Sequence, residues 1–164
     1  MFDDDIVQAA REVLDICRGK NLKVATAESC TGGLVAGALT EIAGSSAVVE
    51  RGFVTYSNGA KETMLGVPGK MLTQFGAVSR ETAEAMVKGA LTHAPADLAV
   101  SITGIAGPDG GSAEKPVGLV HFAAADRNGR LVHVERRFGA IGRSMVRQRS
   151  VLQALLMLRD LARA

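Results

Sequence analysis

A chain of 164 residues that is 47% hydrophobic has the length of one ordinary domain and can bury roughly 68–70% of its unfolded surface without disulfides or a structural metal. An aromatic content of 4%, with one tyrosine and no tryptophan, argues against a base-stacking platform for single-stranded nucleic acid, and a net charge of +2 is too small to imply a polyanion partner. Cys17 and Cys30 form neither a zinc-ligand spacing nor a disulfide framework, and the Met-Phe-Asp-Asp-Asp start lacks a basic n-region and a long apolar run, so a cytoplasmic protein without a membrane segment is expected.

From Asp3 to about Arg18, the residues Ile6, Ala9, Ala10, Val13 and Cys17 recur at helical spacing behind an acidic start, which predicts an amphipathic helix. Leu22 to Ala27 is short and apolar and predicts a strand. It runs into Glu28-Ser29-Cys30-Thr31-Gly32-Gly33, after which Leu34 to Ile42 reads as helix. Ala47 to Tyr56 predicts a second strand, broken by Ser57-Asn58-Gly59 before a short helix from Ala60 to Leu65, with Asn58 as its N-cap. Ser79 caps a helix in which Ala83, Met86, Val87, Ala90 and Leu91 form one apolar stripe, ending near Ala94-Pro95.

Leu98 to Ile102 predicts a buried strand. The loop that follows, Thr103 to Ser112, holds four glycines and one proline and is long for a connector. Val117 to Ala125 and Leu131 to Phe138 flank a turn at Asp126 to Arg130 and should pair as an antiparallel hairpin, and Arg143 to Ala162 closes the chain as a helix. The expected fold is therefore α/β: one domain over residues 1–164, a mixed sheet with helices on both faces, and no internal repeat.

The turn from Glu28 to Gly33 falls outside the carboxyl end of a strand, where open α/β sheets bind ligands. Ser29 would be presented there, with the N–H groups of Cys30, Thr31 and Gly32 free to face an oxyanion or a phosphate. The same residues are compatible with a plain helix cap at Ser29 or Thr31. The spacing is that of neither a P-loop nor a G-x-S-x-G elbow, and Cys30, among small and apolar neighbours, suits a packed inert thiol better than a nucleophile.

A serine nucleophile needs a base. His93 ends a helix, and His121 and His133 lie within strands, so a histidine triad is unattractive. Lys61 falls in the first turn of a helix, where burial and the positive helix end both favour the neutral amine; a lysine snorkelling to solvent is the alternative. Tyr56 could relay a proton or hold substrate, or simply border the core. The glycine loop could bring backbone N–H groups to an anion, with Lys115 adding charge. Arg136, Arg137, Arg143, Arg147 and Arg149 could clamp phosphate, hold a second subunit or touch nucleic acid, and a solvated face accounts for most of them.

Taken together, Thr26-Ala27-Glu28-Ser29-Cys30-Thr31-Gly32-Gly33, Tyr56-Ser57-Asn58-Gly59-Ala60-Lys61, Gly76-Ala77-Val78-Ser79, and Thr103-Gly104-Ile105-Ala106-Gly107-Pro108 with Lys115-Pro116-Val117-Gly118 closely resemble the CinA carboxy-terminal domain family over essentially the whole chain. The separate amino-terminal domain that many members carry is not part of this sequence, so the stand-alone form is expected. The resemblance implies a three-layer α/β/α sandwich and hydrolysis of nicotinamide mononucleotide, a pyridine nucleotide, to nicotinate mononucleotide and ammonia in pyridine-nucleotide salvage, with no metal or organic cofactor. It implies Ser29 as nucleophile, Lys61 as base and Tyr56 as assistant, with Cys30, Thr31, Gly32, Gly33, Thr103, Gly104 and Gly107 lining the pocket. A homodimer is expected, with no nucleic-acid or membrane partner. The competing reading is a non-catalytic nucleotide-binding module linked to competence or DNA damage, which would use the same turns only as an anion cradle.

Overall fold

The computed structural model describes residues 1–164. Five strands, β1 (Val24–Glu28), β2 (Val49–Val54), β3 (Leu98–Gly104), β4 (Leu119–Asp126) and β5 (Leu131–Arg137), form one sheet in the order β2-β1-β3-β4-β5. The first three are parallel and the last two antiparallel to their neighbours, so the sheet is mixed as the alternation of helices and strands requires. The helices are α1 (Asp4–Gly19), α2 (Leu34–Thr40), α3 (Asn58–Leu65), α4 (Gly69–Phe75), α5 (Arg80–His93) and α6 (Arg143–Arg163). None is long and apolar enough to cross a membrane.

Strand alternation sorts the core into two layers. On one face Val24, Val100, Ile102, Val120 and Phe122 pack against α1, α2 and α6; on the other Ala25, Ala27, Ala99, Ala123 and Ala125 meet α3, α4 and α5. This is the expected three-layer α/β/α sandwich. The alanine face has a consequence for spacing: with no bulk between them, α5 lies close enough to the sheet for the Ser101 hydroxyl to donate to the Ala83 carbonyl at 2.6 Å.

Two local differences from expectation have simple causes. The cap of α3 is Ser57, not Asn58: Ser57 is extended (φ −92°, ψ 162°) and its Oγ accepts from the Ala60 N–H, which leaves Asn58 as the first helical residue. Helix α4 has no forecast in the pattern, because it is seven residues long and Leu72 alone in it is buried, too little to register as a period. The remaining expected helices and strands form, with ends that agree or shift by one or two residues.

Register fixes where chemistry can sit. Glu28 pairs with both Val54 and Ile102, so β2 and β1 end level with one another and β3 runs two residues further, to Gly104. The chain leaves β1 with the Ser29 N–H donating to Ile102 O at 2.9 Å, and leaves β2 with the Thr55 N–H donating to Glu28 O at 2.8 Å. Because β2 and β3 flank β1 on opposite sides, these carboxyl ends surround a topological switch point.

Candidate active site

Ser29 opens a tight turn whose closing bond runs from Gly32 N–H to Ser29 O at 3.0 Å. Gly32 and Gly33 have φ of +57° and +102°, values that residues with a Cβ rarely adopt, so the glycines let the chain reverse from strand into helix. Gly33 is the N-cap of α2 and has no side chain to cap it. That role falls to Glu28, fully buried, whose carboxylate accepts from the N–H of Val35 at 2.9 Å and of Ala36 at 3.0 Å, and from the Thr31 hydroxyl at 2.7 Å. Neither Ser29 nor Thr31 caps the helix, so the plain-cap reading of Ser29 is corrected: a carboxylate from within the sheet satisfies the helix start and the Ser29 hydroxyl is left for other work.

Lys61 is 1% exposed. Its Nζ lies 3.1 Å from Ser29 Oγ, 2.8 Å from Thr55 O and 3.4 Å from Tyr56 O. Burial pulls the Lys61 pKa below that of an ordinary lysine, and no carboxylate offsets it. The snorkelling alternative is excluded by this burial. The thiol of Cys30 is pushed up to about 12, chiefly by burial, so it holds its proton and fits the inert reading.

Ser29 and Lys61 form the floor of a pocket of about 230 Å³ whose walls include Cys30, Val78, Thr103, Gly104 and Ala106, with Tyr56 and Arg143 at its mouth. The Tyr56 ring is exposed and its hydroxyl accepts from Arg143 at 3.0 Å, so the phenol stands at the entrance and the backbone carbonyl is what reaches Lys61. Thr103 turns its hydroxyl to Ala77 O at 2.7 Å, tying the end of β3 to the segment before α5. A larger hollow of about 600 Å³ lies along β5 and α6, at the edge of the sheet; it holds Val132, Val134 and Met157 but no nucleophile paired with a base.

Several expected pocket residues take other positions. Thr31 is fully buried on Glu28, and Gly32 and Gly33 shape the turn behind Ser29 without lining the pocket. Gly107 contributes its carbonyl as the acceptor of an Arg143 hydrogen bond at 2.9 Å and does not line the pocket either. Of the three N–H groups expected to be free, Gly32 donates within the turn, while those of Cys30 and Thr31 have no acceptor in the protein. Lys115 donates to Phe75 O at the end of α4 and does not reach the pocket.

One residue with a part in the site, Glu28, has no role in the sequence reading, and two, Arg143 and Arg147, have several open ones. Glu28 stands inside the motif, but a carboxylate that caps a helix seven residues ahead has no pattern of its own. Arg143 and Arg147 belong to a cluster for which the sequence leaves a phosphate clamp, a subunit contact, nucleic acid and a solvated face all open; in the structure Arg143 bridges Tyr56 and Gly107, and Arg147 reaches the carbonyls of Cys30 and Thr31.

Fold and site together define a three-layer α/β protein with a buried serine–lysine pair at the sheet's switch point. The chain belongs to the CinA C-terminal domain family, whose model matches residues 6–162. It is 49% identical over 160 residues to nicotinamide-nucleotide amidohydrolase PncC of Enterobacter agglomerans, covering 98% of both chains, and 50% identical over 155 residues to the protein of that name from Escherichia coli K12, covering 94% of this chain and 93% of the relative. The crystal structure of the competence/damage inducible protein CihA from Agrobacterium tumefaciens superimposes with a TM-score of 0.97 at 60% identity over 98% of each chain.

Proposed function

We propose that this chain is an amidohydrolase that converts nicotinamide mononucleotide to nicotinate mononucleotide and ammonia, with Ser29 as nucleophile and Lys61 as base. One observation carries the assignment of the pair. A neutral amine has two N–H donors and one lone pair, and Nζ has three neighbours: two carbonyls, which can only accept, and one hydroxyl. In the neutral amine Thr55 O and Tyr56 O take the two N–H groups and leave the lone pair for the Ser29 proton; in the ammonium form the third N–H donates to Ser29 Oγ. The substrate preference is supported by the relatives at about half identity, which are nicotinamide-nucleotide amidohydrolases.

In the attack, Ser29 Oγ forms the bond to the carboxamide carbon as its proton passes to Lys61 Nζ. Negative charge builds on the amide oxygen, for which the Cys30 N–H, engaged by no other residue and next to the nucleophile, is the donor. Lys61 then returns the proton to the departing nitrogen, ammonia leaves, and water, deprotonated by the same amine, cleaves the acyl-serine to the carboxylate. Arg143, a cation at the pocket mouth, is placed to meet the substrate's phosphate. In the cell the enzyme would serve pyridine-nucleotide salvage in the cytoplasm, as a homodimer and without metal or organic cofactor.

The test is ammonia release from nicotinamide mononucleotide by the purified chain and by Ser29→Ala. Losing the nucleophile should lower kcat by at least about 10⁴-fold while the circular dichroism spectrum stays that of the parent. Undiminished turnover by Ser29→Ala would remove Ser29 from the mechanism.

A further inference from the structure

The central residues of the Ser29–Gly32 turn, Cys30 and Thr31, have N–H groups without acceptors, but their carbonyls are held: Thr31 O accepts from the Leu34 N–H at 3.0 Å as well as from α6, and Cys30 O from α6 alone. Arg147, on the second turn of α6, donates from Nε to Cys30 O at 3.1 Å and from Nη2 to Thr31 O at 3.4 Å. This guanidinium is half buried and enters no ion pair, so main-chain oxygens of the turn are its hydrogen-bond partners. An arginine kept for solubility would extend into water or meet a carboxylate. On the inner side of the same turn, the Glu28 carboxylate holds the Thr31 hydroxyl.

Planarity makes this grip specific. A trans peptide carries its C=O and N–H in opposite directions, so fixing Cys30 O fixes the Thr31 N–H, and fixing Thr31 O fixes the Gly32 N–H, which closes the turn onto Ser29 O. Hydrogen bonds from a charged donor are roughly twice as strong as neutral ones, so the bond to Cys30 O, with the longer one to Thr31 O beside it, opposes the looseness that two left-handed glycines would otherwise confer. The side chain itself stands outside the pocket.

We infer that Arg147 is a positioning residue for hydrolysis, clamping the Cys30 and Thr31 peptides from α6 so that Ser29 Oγ and the Cys30 N–H are held in register for attack. This rests on the amidohydrolase function proposed above. Arg147 touches neither the reacting atoms nor substrate; it removes the freedom of the turn that carries them.

Arg147→Met and Arg147→Lys are compared with the parent for kcat and KM on nicotinamide mononucleotide, and for amide hydrogen exchange at Gly32. A displacement of the nucleophile by about 1 Å costs on the order of 10²-fold, so Arg147→Met should lose roughly 10- to 100-fold in kcat with KM little changed. Arg147→Lys, which keeps the charge but not the fork, should fall between the two. Guanidinium ion at non-denaturing concentration should restore part of kcat to Arg147→Ala, which a merely stabilising arginine would not permit. Exchange at Gly32 should quicken in Arg147→Met while the amides of β3 stay protected.

A kcat for Arg147→Met equal to the parent's, or a loss carried wholly by KM, overturns the inference, and the second result would make Arg147 a substrate contact. Unchanged exchange at Gly32 overturns the clamp whatever the substrate proves to be. If the unmodified chain releases no ammonia, the proposed reaction fails, and the exchange comparison still decides whether Arg147 holds the turn. Should Arg147→Met not fold, Arg147→Lys carries both measurements.

Discussion

An ammonium group with 1% of its surface exposed and no carboxylate beside it is far less favourable than the same group in water, and this is what pulls the Lys61 pKa down. Two consequences follow in opposite experiments. Since only the neutral amine can accept the Ser29 proton, kcat/KM should rise with pH as Lys61 loses its proton and level off above its folded pKa. That plateau should begin below the value of about 10.4 typical of a free lysine. A profile still rising at 10.4 would show an ordinary, solvated amine. Linkage gives the second consequence: between the lowered folded pKa and about 10.4 the unfolded chain binds a proton that the folded chain does not, so stability rises with pH through that window. Lys61→Met should abolish turnover and flatten that rise, which urea unfolding at neutral and at alkaline pH would measure. Ser29 and Lys61 were legible in the sequence because each sits in a short segment with a recognisable pattern. Arg143 and Arg147 were not, because their partners lie 87 residues away for Tyr56 and 117 for Cys30, and no local pattern records a contact at that range.

At the scale of elements, α2 begins with no acidic residue in its first turn and a glycine for a cap, a start that on local rules should fray. Glu28 supplies from the strand what the helix lacks, and both its oxygens are used: one by Thr31 and Val35, the other by Ala36 and Thr26. Glu28→Gln keeps the shape but turns one oxygen into an NH₂ group facing donors. At least one buried N–H is then left unpaired, at about 1–3 kcal/mol. For a chain of this size roughly 2–4 °C of Tm follows each kcal/mol, so thermal unfolding should begin several degrees lower. An unaltered Tm would mean that solvent, not Glu28, satisfies the helix start. Helix α1, α5 and α6 were readable from long apolar stripes, and the strands from short apolar runs between turn residues. Helix α4 was not, and the α3 cap fell one residue from its expected place, because serine and asparagine both cap well and only backbone conformation chooses between them.

At the scale of the whole molecule, the site is assembled across layers: Ser29 comes from the end of β1 and Lys61 from α3, and α3 is held by packing on α5. That packing hinges on Gly89. A Cβ at this position would lie 2.0 Å from the Leu65 carbonyl oxygen and 2.9 Å from its carbon, atoms of the backbone that no rotamer change can move aside. Gly89→Ala therefore sets two effects against each other. Alanine within a helix gains roughly 0.5–1 kcal/mol over glycine, while overpacking a close contact costs about 1–3 kcal/mol. The clash should win, because relief requires α3 itself to shift away from α5. Leu65 ends the helix in which Lys61 sits one turn earlier, so such a shift carries Nζ with it, away from a serine it now meets at 3.1 Å. Gly89→Ala should accordingly lower both the urea midpoint and kcat, although it touches no residue of the pocket. Gly59→Ala is the matched control: its Cβ would meet no atom closer than Ser57 Oγ at 3.8 Å, and a gain of about 0.4–1 kcal/mol is expected. If Gly89→Ala lost stability but kept its full kcat, Lys61 would be anchored by its bonds to the Thr55 and Tyr56 carbonyls alone, and the α3–α5 contact would have no part in holding the base.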